Sequence, residues 1–225
     1  MALTGAGISA ESGVPTFRDA QTGLWARYSA EQLATPEAFR RDPQLVWQWY
    51  SWRRQLVAQA QPNAGHQALV ALAARSAELL LVTQNVDGLH ARAGSRDVIE
   101  LHGNIEQSTC FAEGTPVTSY EDDGSIPPRC PRCGAHLRPA VVWFGETLPK
   151  AALERAEAAA RSCDVLLSIG TSSLVHPAAG LPLLAKRHGA LLIEVNPNAT
   201  PLTPHADVVL SGRAAEVLPQ LVTEL

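Results

Sequence analysis

Ala2-Leu3-Thr4-Gly5-Ala6-Gly7-Ile8-Ser9-Ala10, at the head of the chain, is the stretch on which the fold turns. A short apolar strand runs straight into a G-x-G-x-x-A turn, where small residues let a backbone approach a pyrophosphate and a helix start faces the anion. By itself such a hexamer also fits a tight turn of no functional consequence. The next residues narrow the choice. A dehydrogenase would continue through a full helix to a second strand ending in an acidic residue about 20 positions on. Here Gly13-Val14-Pro15 is expected to stop the helix within about two turns, and Thr16-Phe17-Arg18-Asp19 to continue as a loop. A loop carrying an aromatic ring and an arginine suits a lid over a bound dinucleotide, with Arg18 meeting a phosphate or carboxylate. Only four residues stand before Gly5. Five or so are usual in such a strand, so the chain starts late for this pattern.

Outward from this turn, apolar runs at 79–83, 98–100, 141–144, 165–169, 191–195 and 208–210 join residues 2–4 as candidate buried strands. Helical patterns separate many of them, at about 64–76, 150–162, 177–188 and 214–223. Near-continuous apolar strands alternating with helices predict an α/β fold, a Rossmann-like, doubly wound parallel sheet covered on both faces. Two stretches break the alternation: a helical segment from Glu31 to Ala60, and a strand-poor segment from Gln107 to Arg138 that holds three cysteines. These are expected to form one small inserted module, 29–62 and 107–138, beside a large part made of 1–28, 63–106 and 139–225.

With 225 residues the chain is long enough for one core-bearing domain with an insertion. A net charge of −4 gives no reason to expect nucleic acid. No apolar run approaches the roughly 20 residues that span a bilayer, and no signal peptide is evident, so a cytoplasmic protein without membrane contact is expected. In a reducing compartment Cys110, Cys130 and Cys133, close together in a loop-rich stretch, suggest metal before disulfide. Cys163 reads as an ordinary small core residue.

Thr83-Gln84-Asn85-Val86-Asp87-Gly88-Leu89-His90 places amide and acid side chains at the carboxyl end of an apolar strand, where open α/β sheets bind ligands. Asn85 and Asp87 also suit helix capping. Leu101-His102-Gly103 follows another short strand, which brings His102 to the same edge. An imidazole near its usual pKa of about 6.5 is a natural general base, although a lone histidine more often serves a structural role.

These stretches, together with Glu11-Ser12-Gly13-Val14-Pro15-Thr16-Phe17-Arg18, Val141-Val142-Trp143-Phe144-Gly145-Glu146, Gly170-Thr171-Ser172-Ser173 and Val195-Asn196-Pro197-Asn198, resemble the motifs of the sirtuin family, in sirtuin order and over nearly the whole chain. The resemblance implies an NAD domain with a smaller helical and zinc-binding module, an acylated protein lysine entering between them. It implies that Gly5, Ala6, Gly7, Ser9, Phe17, Arg18, Trp25, Gln84, Asn85, Val86 and Asp87 contact NAD, and that Gly170, Thr171, Ser172, Asn196, Pro197, Asn198 and Ala214 hold its adenosine side. His102 would be the base, Asn85 and Asp87 would position the leaving group and ribose, and Val142, Trp143, Phe144 and Gly145 would pair with the substrate backbone as an added strand.

On the helix expected after Pro43, Tyr50 and Arg53 share a face at i, i+3 spacing. A phenol beside a guanidinium can bind a carboxylate. The pair also resembles the Tyr-x-x-Arg of desuccinylase and demalonylase sirtuins, in which a small residue at the position of Ala34 widens the acyl channel. Removal of succinyl or malonyl groups is thus implied, with deacetylation possible beside it. An NAD glycohydrolase or ADP-ribosyltransferase would not need this pair, and a non-enzymatic NAD sensor would not need His102 and Asn85. Two C-x-x-C pairs make the usual structural zinc site. Cys130-Pro131-Arg132-Cys133 supplies one, but Glu113 stands where the partner of Cys110 should be, leaving Glu113 or His136 as fourth ligand, or no zinc at all.

Overall fold

The computed structural model describes residues 1–16, 28–121 and 123–224. Its strands are β1 (Ala2–Thr4), β2 (Leu81–Thr83), β3 (Ile99–Glu100), β4 (Gly103–Cys110), β5 (Pro116–Val117), β6 (Leu137–Val141), β7 (Val165–Ile169), β8 (Leu191–Asn196) and β9 (Val208–Ser211). Six of them form one sheet in the order β3-β2-β1-β7-β8-β9, every neighbouring pair parallel. The helices are α1 (Gly7–Ala10), α2 (Ala30–Leu33), α3 (Pro36–Arg41), α4 (Pro43–Gln59), α5 (Ala64–Arg75), α6 (Leu89–Ala93), α7 (Lys150–Ser162), α8 (Leu181–Arg187) and α9 (Ala214–Glu224).

Apolar side chains dominate the inner strands β1, β2, β7 and β8, with Ser168 and Glu194 buried among them. Side chains alternate between faces along a strand. Ala2 packs with Leu69 and Leu72 of α5 and Leu218 of α9, whereas Leu3, one residue on, packs with Ala156 and Ala160 of α7 and Ala185 of α8. Each large aliphatic side chain buried this way contributes about 1.5–3 kcal/mol. α1 is a single turn, within the two expected, and Gly13 follows it at φ +80°.

Residues 30–59 form α2, α3 and α4, each begun by a side chain that accepts a backbone N–H: Ser29, Thr35 and Asp42. The first residue of α3 is Pro36 and that of α4 is Pro43, where a missing N–H costs nothing. Their aromatic faces, with Phe39, Trp49 and Tyr50, build a core against Leu89, Ile105 and Trp143.

Some expectations fail in detail. Val141–Phe144 is not a strand of the parallel sheet. The pairing strand is β6, antiparallel to β4, and Trp143 leaves it to wedge into the module core. A short apolar run reads alike whether it is a strand or a buried loop. The strand-poor stretch likewise holds a three-stranded antiparallel sheet, β5-β4-β6. Its polar residues, Glu106 and Gln107 exposed but Ser108 buried among them, hid the alternation. The helix expected at 177–188 divides into a 3-10 turn, Ala178–Gly180, and α8.

Candidate functional site

From β1 the chain winds outward through β2 and β3, and from β7 it winds the opposite way through β8 and β9. The carboxyl ends of the adjacent β1 and β7 therefore open on a crevice at the switch point, the place where sheets of this kind bind ligands. Two loops meet there. Gly7 N–H donates to Gly170 C=O at 2.9 Å. A Cβ on Gly7 would lie 2.7 Å from Gly170 Cα, and one on Gly170, at φ +59°, would lie 2.6 Å from the Ile8 nitrogen. These glycines are required by each other as well as by any ligand. Behind them Thr171 is buried between Ser168 and Ser173, and Asn196 Nδ2 donates to Thr171 C=O at 2.7 Å. Ser172 is half-buried, Ala214 is buried at the start of α9, and Pro197 and Asn198 are exposed.

Beneath the crevice lies a buried polar layer. Thr4 Oγ1 donates to Thr83 Oγ1 at 2.8 Å, so the 2.8 Å contact from His90 Nε2 to Thr4 must be a donation by the imidazole. Asn63 N–H donates to His66 Nδ1 at 3.3 Å, which places that ring's proton on Nε2, facing Ser9 Oγ at 3.4 Å. Ser9 Oγ also accepts from Asn85 Nδ2 at 3.1 Å, and the same amide reaches Gly5 C=O at 3.1 Å. Asn85 is thus fixed with its nitrogen inward and its carbonyl oxygen turned from these partners. Burial pushes both imidazoles down from their ordinary pKa, His90 to about 3 with His66 adding to the effect. Asp87 Oδ1 accepts the Leu89 N–H at 2.9 Å, so it caps α6 while standing buried beside the crevice.

His102 follows β3. Its Nδ1 lies 2.8 Å from Gln84 C=O, an acceptor, so Nδ1 carries the hydrogen and Nε2 keeps its lone pair. Burial lowers its pKa, opposed by that hydrogen bond, and the ring stays neutral at neutral pH. Gly103 next to it is at φ +76°, and a Cβ there would fall 2.1 Å from Ala140 C=O. The histidine is thereby clamped between the large sheet and β6. Val86, between Asn85 and Asp87, accepts the Ile105 N–H through its carbonyl at 2.9 Å.

Tyr50 and Arg53 are both buried on α4, Tyr50 in the same core as Ala34, and Arg53 lies 5.1 Å from the Trp49 ring centroid. Burial lowers the arginine's pKa, opposed by Tyr50 and Asp87, and raises that of Tyr50. In the loop expected to hold substrate, Val142 N–H donates to His102 C=O at 2.9 Å and Phe144 N–H to Ala34 C=O at 2.9 Å. Trp143 N–H is taken by Glu146 at 2.8 Å. Most of the loop's donors are therefore engaged within the chain. The Trp143 side chain is buried, while Phe144 and Gly145 are exposed. A cavity of about 350 Å³ between Trp47, Arg54, Tyr120 and Ile126 shares none of these residues.

Cys110, Glu113, Cys130 and Cys133 bring their ligand atoms within 4.8 Å of one another, so this group could hold a metal ion. His136 is not in the group. Its Nε2 lies 3.5 Å from Arg129 instead. Cys163, half-buried, packs against the α7–α8 side of the sheet.

Phe17, Arg18 and Trp25 lie outside the described residues. Sequence reasoning missed Thr4, Asn63, His66 and His90. A polar residue closing an apolar strand signalled Thr4, but nothing in the pattern brought the two histidines, 24 positions apart, to a ring separation of 4.9 Å.

The sequence model of the Sir2 family, the sirtuins, matches residues 5–177. A protein of Pseudomonas aeruginosa named NAD-dependent protein deacylase 1 is 54% identical over 228 residues, covering 98% of this chain and 91% of the relative. An NAD-dependent protein deacylase of Ralstonia nicotianae is 56% identical over 222 residues, with coverages of 99% and 90%. Among solved structures, a Sir2 homologue in complex with NAD superposes with a TM-score of 0.92 at 51% identity, over all of this chain and 88% of that one. A Sir2 complex with a p53 peptide and NAD+ gives 0.88 at 34% identity, covering 99% and 91%. Matched over most of its length, and more than half identical to such relatives, the chain belongs to the Sir2 family.

Proposed function

We propose that this chain is an NAD-dependent protein deacylase that takes succinyl and malonyl groups, and acetyl groups beside them, from protein lysines. The products are free lysine, nicotinamide and O-acyl-ADP-ribose. The observation that carries acidic-acyl choice is the burial of Tyr50 and Arg53 together, two hydrogen-bond donors on one helix face, with Ala34 in the same core as Tyr50. NAD, when bound at the β1–β7 crevice, supplies the activated ribose carbon that receives the acyl group. The polar lining fits such a guest: backbone turns at Gly5–Gly7 and Gly170, and two acceptors, the outward Asn85 carbonyl and the Asp87 carboxylate. His102 Nε2, held open by the Nδ1 contact to Gln84, takes a proton from a ribose hydroxyl presented to it. Asn85 and Asp87 orient the nicotinamide side, and Arg53 with Tyr50 binds the acyl carboxylate.

Cys110, Cys130 and Cys133 with Glu113 would hold a structural zinc ion, a donor set of soft sulfur and one carboxylate that suits it. Among the described residues no helix is long and apolar enough to cross a membrane. A cytoplasmic setting would keep Cys110, Cys130 and Cys133 reduced and free for metal. The test is mass spectrometry of succinyl-, malonyl- and acetyl-lysine peptides incubated with and without NAD. Loss of the acidic acyl groups, only with NAD and faster than acetyl, is expected. Acyl loss without NAD, or cleavage of NAD with the peptides untouched, would overturn the assignment.

A further inference from the structure

Tyr50 and Trp143 stand 93 positions apart in the chain and meet in the module core. Trp143 Nε1–H donates to Tyr50 Oη at 3.0 Å, both side chains being almost wholly buried. An indole nitrogen can only donate. The phenol oxygen is therefore the acceptor, and its own hydrogen points away from Trp143. Among the described residues no acceptor for that hydrogen is found.

Trp143 is itself held on several sides. The Arg138 guanidinium lies 3.4 Å from its ring centroid. Glu146 grips that guanidinium through both oxygens, at 2.5 and 2.9 Å, and accepts the Trp143 N–H at 2.8 Å. Phe39 packs against the ring at 5.3 Å. The bearing of the indole N–H is fixed, and with it the bearing of the phenol.

We propose that Trp143 is a positioning residue for acyl choice: by filling the acceptor side of Tyr50 it holds the phenol as a donor, so that the acyl terminus meets donors from both Tyr50 and Arg53. This rests on the acidic-acyl reading of Tyr50 and Arg53 and extends it from attraction of a charge to rejection of a neutral look-alike. A carboxylate offers only acceptors, whereas its carboxamide isostere brings two N–H groups. Against a locked phenol and a guanidinium those N–H groups face donors, a repulsive element of the kind that creates specificity. Released from Trp143, the phenol can turn and accept from the amide.

The experiment compares kcat/KM for succinyl-lysine, succinamoyl-lysine (terminal carboxylate replaced by carboxamide) and acetyl-lysine in one peptide sequence. Wild type, Trp143→Phe, Tyr50→Phe and the double variant are measured. Trp143→Phe should lower the succinyl-to-succinamoyl ratio by about 2- to 10-fold, the worth of one neutral hydrogen bond. In the Tyr50→Phe background the same change should leave that ratio where it is. A packing defect alone would slow all three substrates together. If Trp143→Phe melts below the assay temperature, Glu146→Gln serves instead, since it loosens the Arg138 clamp yet keeps an acceptor for the Trp143 N–H. It should move the ratio the same way. A clear succinyl preference in wild type with an unmoved ratio in the folded variant overturns this inference alone. A wild-type enzyme no faster on succinyl- than on acetyl-lysine overturns the acidic-acyl reading and this inference with it.

Discussion

Acid should weaken this protein through His90. The Nε2 hydrogen of its neutral ring is committed to Thr4, so an added proton must sit on Nδ1, which is buried without a hydrogen-bond partner. Burial, and then the neighbouring His66, holds the folded-state pKa at about 3, against about 6.5 in an unfolded chain. The unfolded state therefore binds the proton more readily between those two values. The stability due to the neutral ring is fully present above about pH 6.5 and is lost as pH falls toward 3. At about pH 5 the loss spans roughly 1.5 units at about 1.4 kcal/mol each, or about 2 kcal/mol. His66, lowered by burial, acts in the same direction. Urea unfolding followed by tryptophan fluorescence, at about pH 7.5 and about pH 5, measures it in wild type and in His90→Gln, whose amide can still donate to Thr4. Between the two pH values the wild type should lose about 2 kcal/mol more than the variant. Protonation of cysteines or of His66 affects both proteins and cancels in the difference. Equal losses would refute the argument.

His102→Ala should lower deacylation by about 100-fold or more with NAD binding retained in calorimetry. Near wild-type turnover would remove His102 from the chemistry. Because the base is the unprotonated ring and its pKa is lowered, the acid limb of kcat/KM should have its midpoint below about 6.5, and a midpoint well above would contradict the burial of the ring. Arg53→Met should cut kcat/KM for succinyl-lysine by about 10- to 150-fold, the worth of a charged hydrogen bond, and leave acetyl-lysine unchanged or improved. An equal loss on both would make Arg53 a residue of the fold. Purified protein should carry close to one zinc per chain and melt lower with a chelator. Glu113→Ala should weaken zinc in a competition titration, and an unaltered affinity would strike Glu113 from the ligand set.

The glycine turn and the apolar strands made the large sheet legible, because a strand buried on both faces is apolar at most positions. His102, Asn85 and Asp87 were legible for a related reason: polar residues closing such strands can only stand at the sheet's rim. The module was harder to read. β4 alternates weakly because one of its faces is wet, and the Val141–Phe144 run resembled a strand because Trp143 is as buried as one. Spacing put Tyr50 and Arg53 on one face of α4, but their link to Trp143 is a contact across 93 positions that no local pattern records. Glu113 sits three residues after Cys110, as the missing cysteine would, so the sequence showed the substitution. Only the fold showed the carboxylate among the thiols and His136 outside them.

The place of β1 in the sheet has a consequence for synthesis. Among the nine described strands this one is made before the others, yet its two neighbours are Leu81–Thr83 and Leu167–Ile169. For most of translation one of its edges stays unpaired, since no nearer segment can complete it, and contacts so distant in sequence form late. A nascent chain halted before residue 165 would still lack the partner of β1 and expose an open, apolar edge. Such a fragment is a natural client for chaperones. Emergence of Val165–Ile169, not growth of the first half, marks the moment at which the crevice between β1 and β7 can exist.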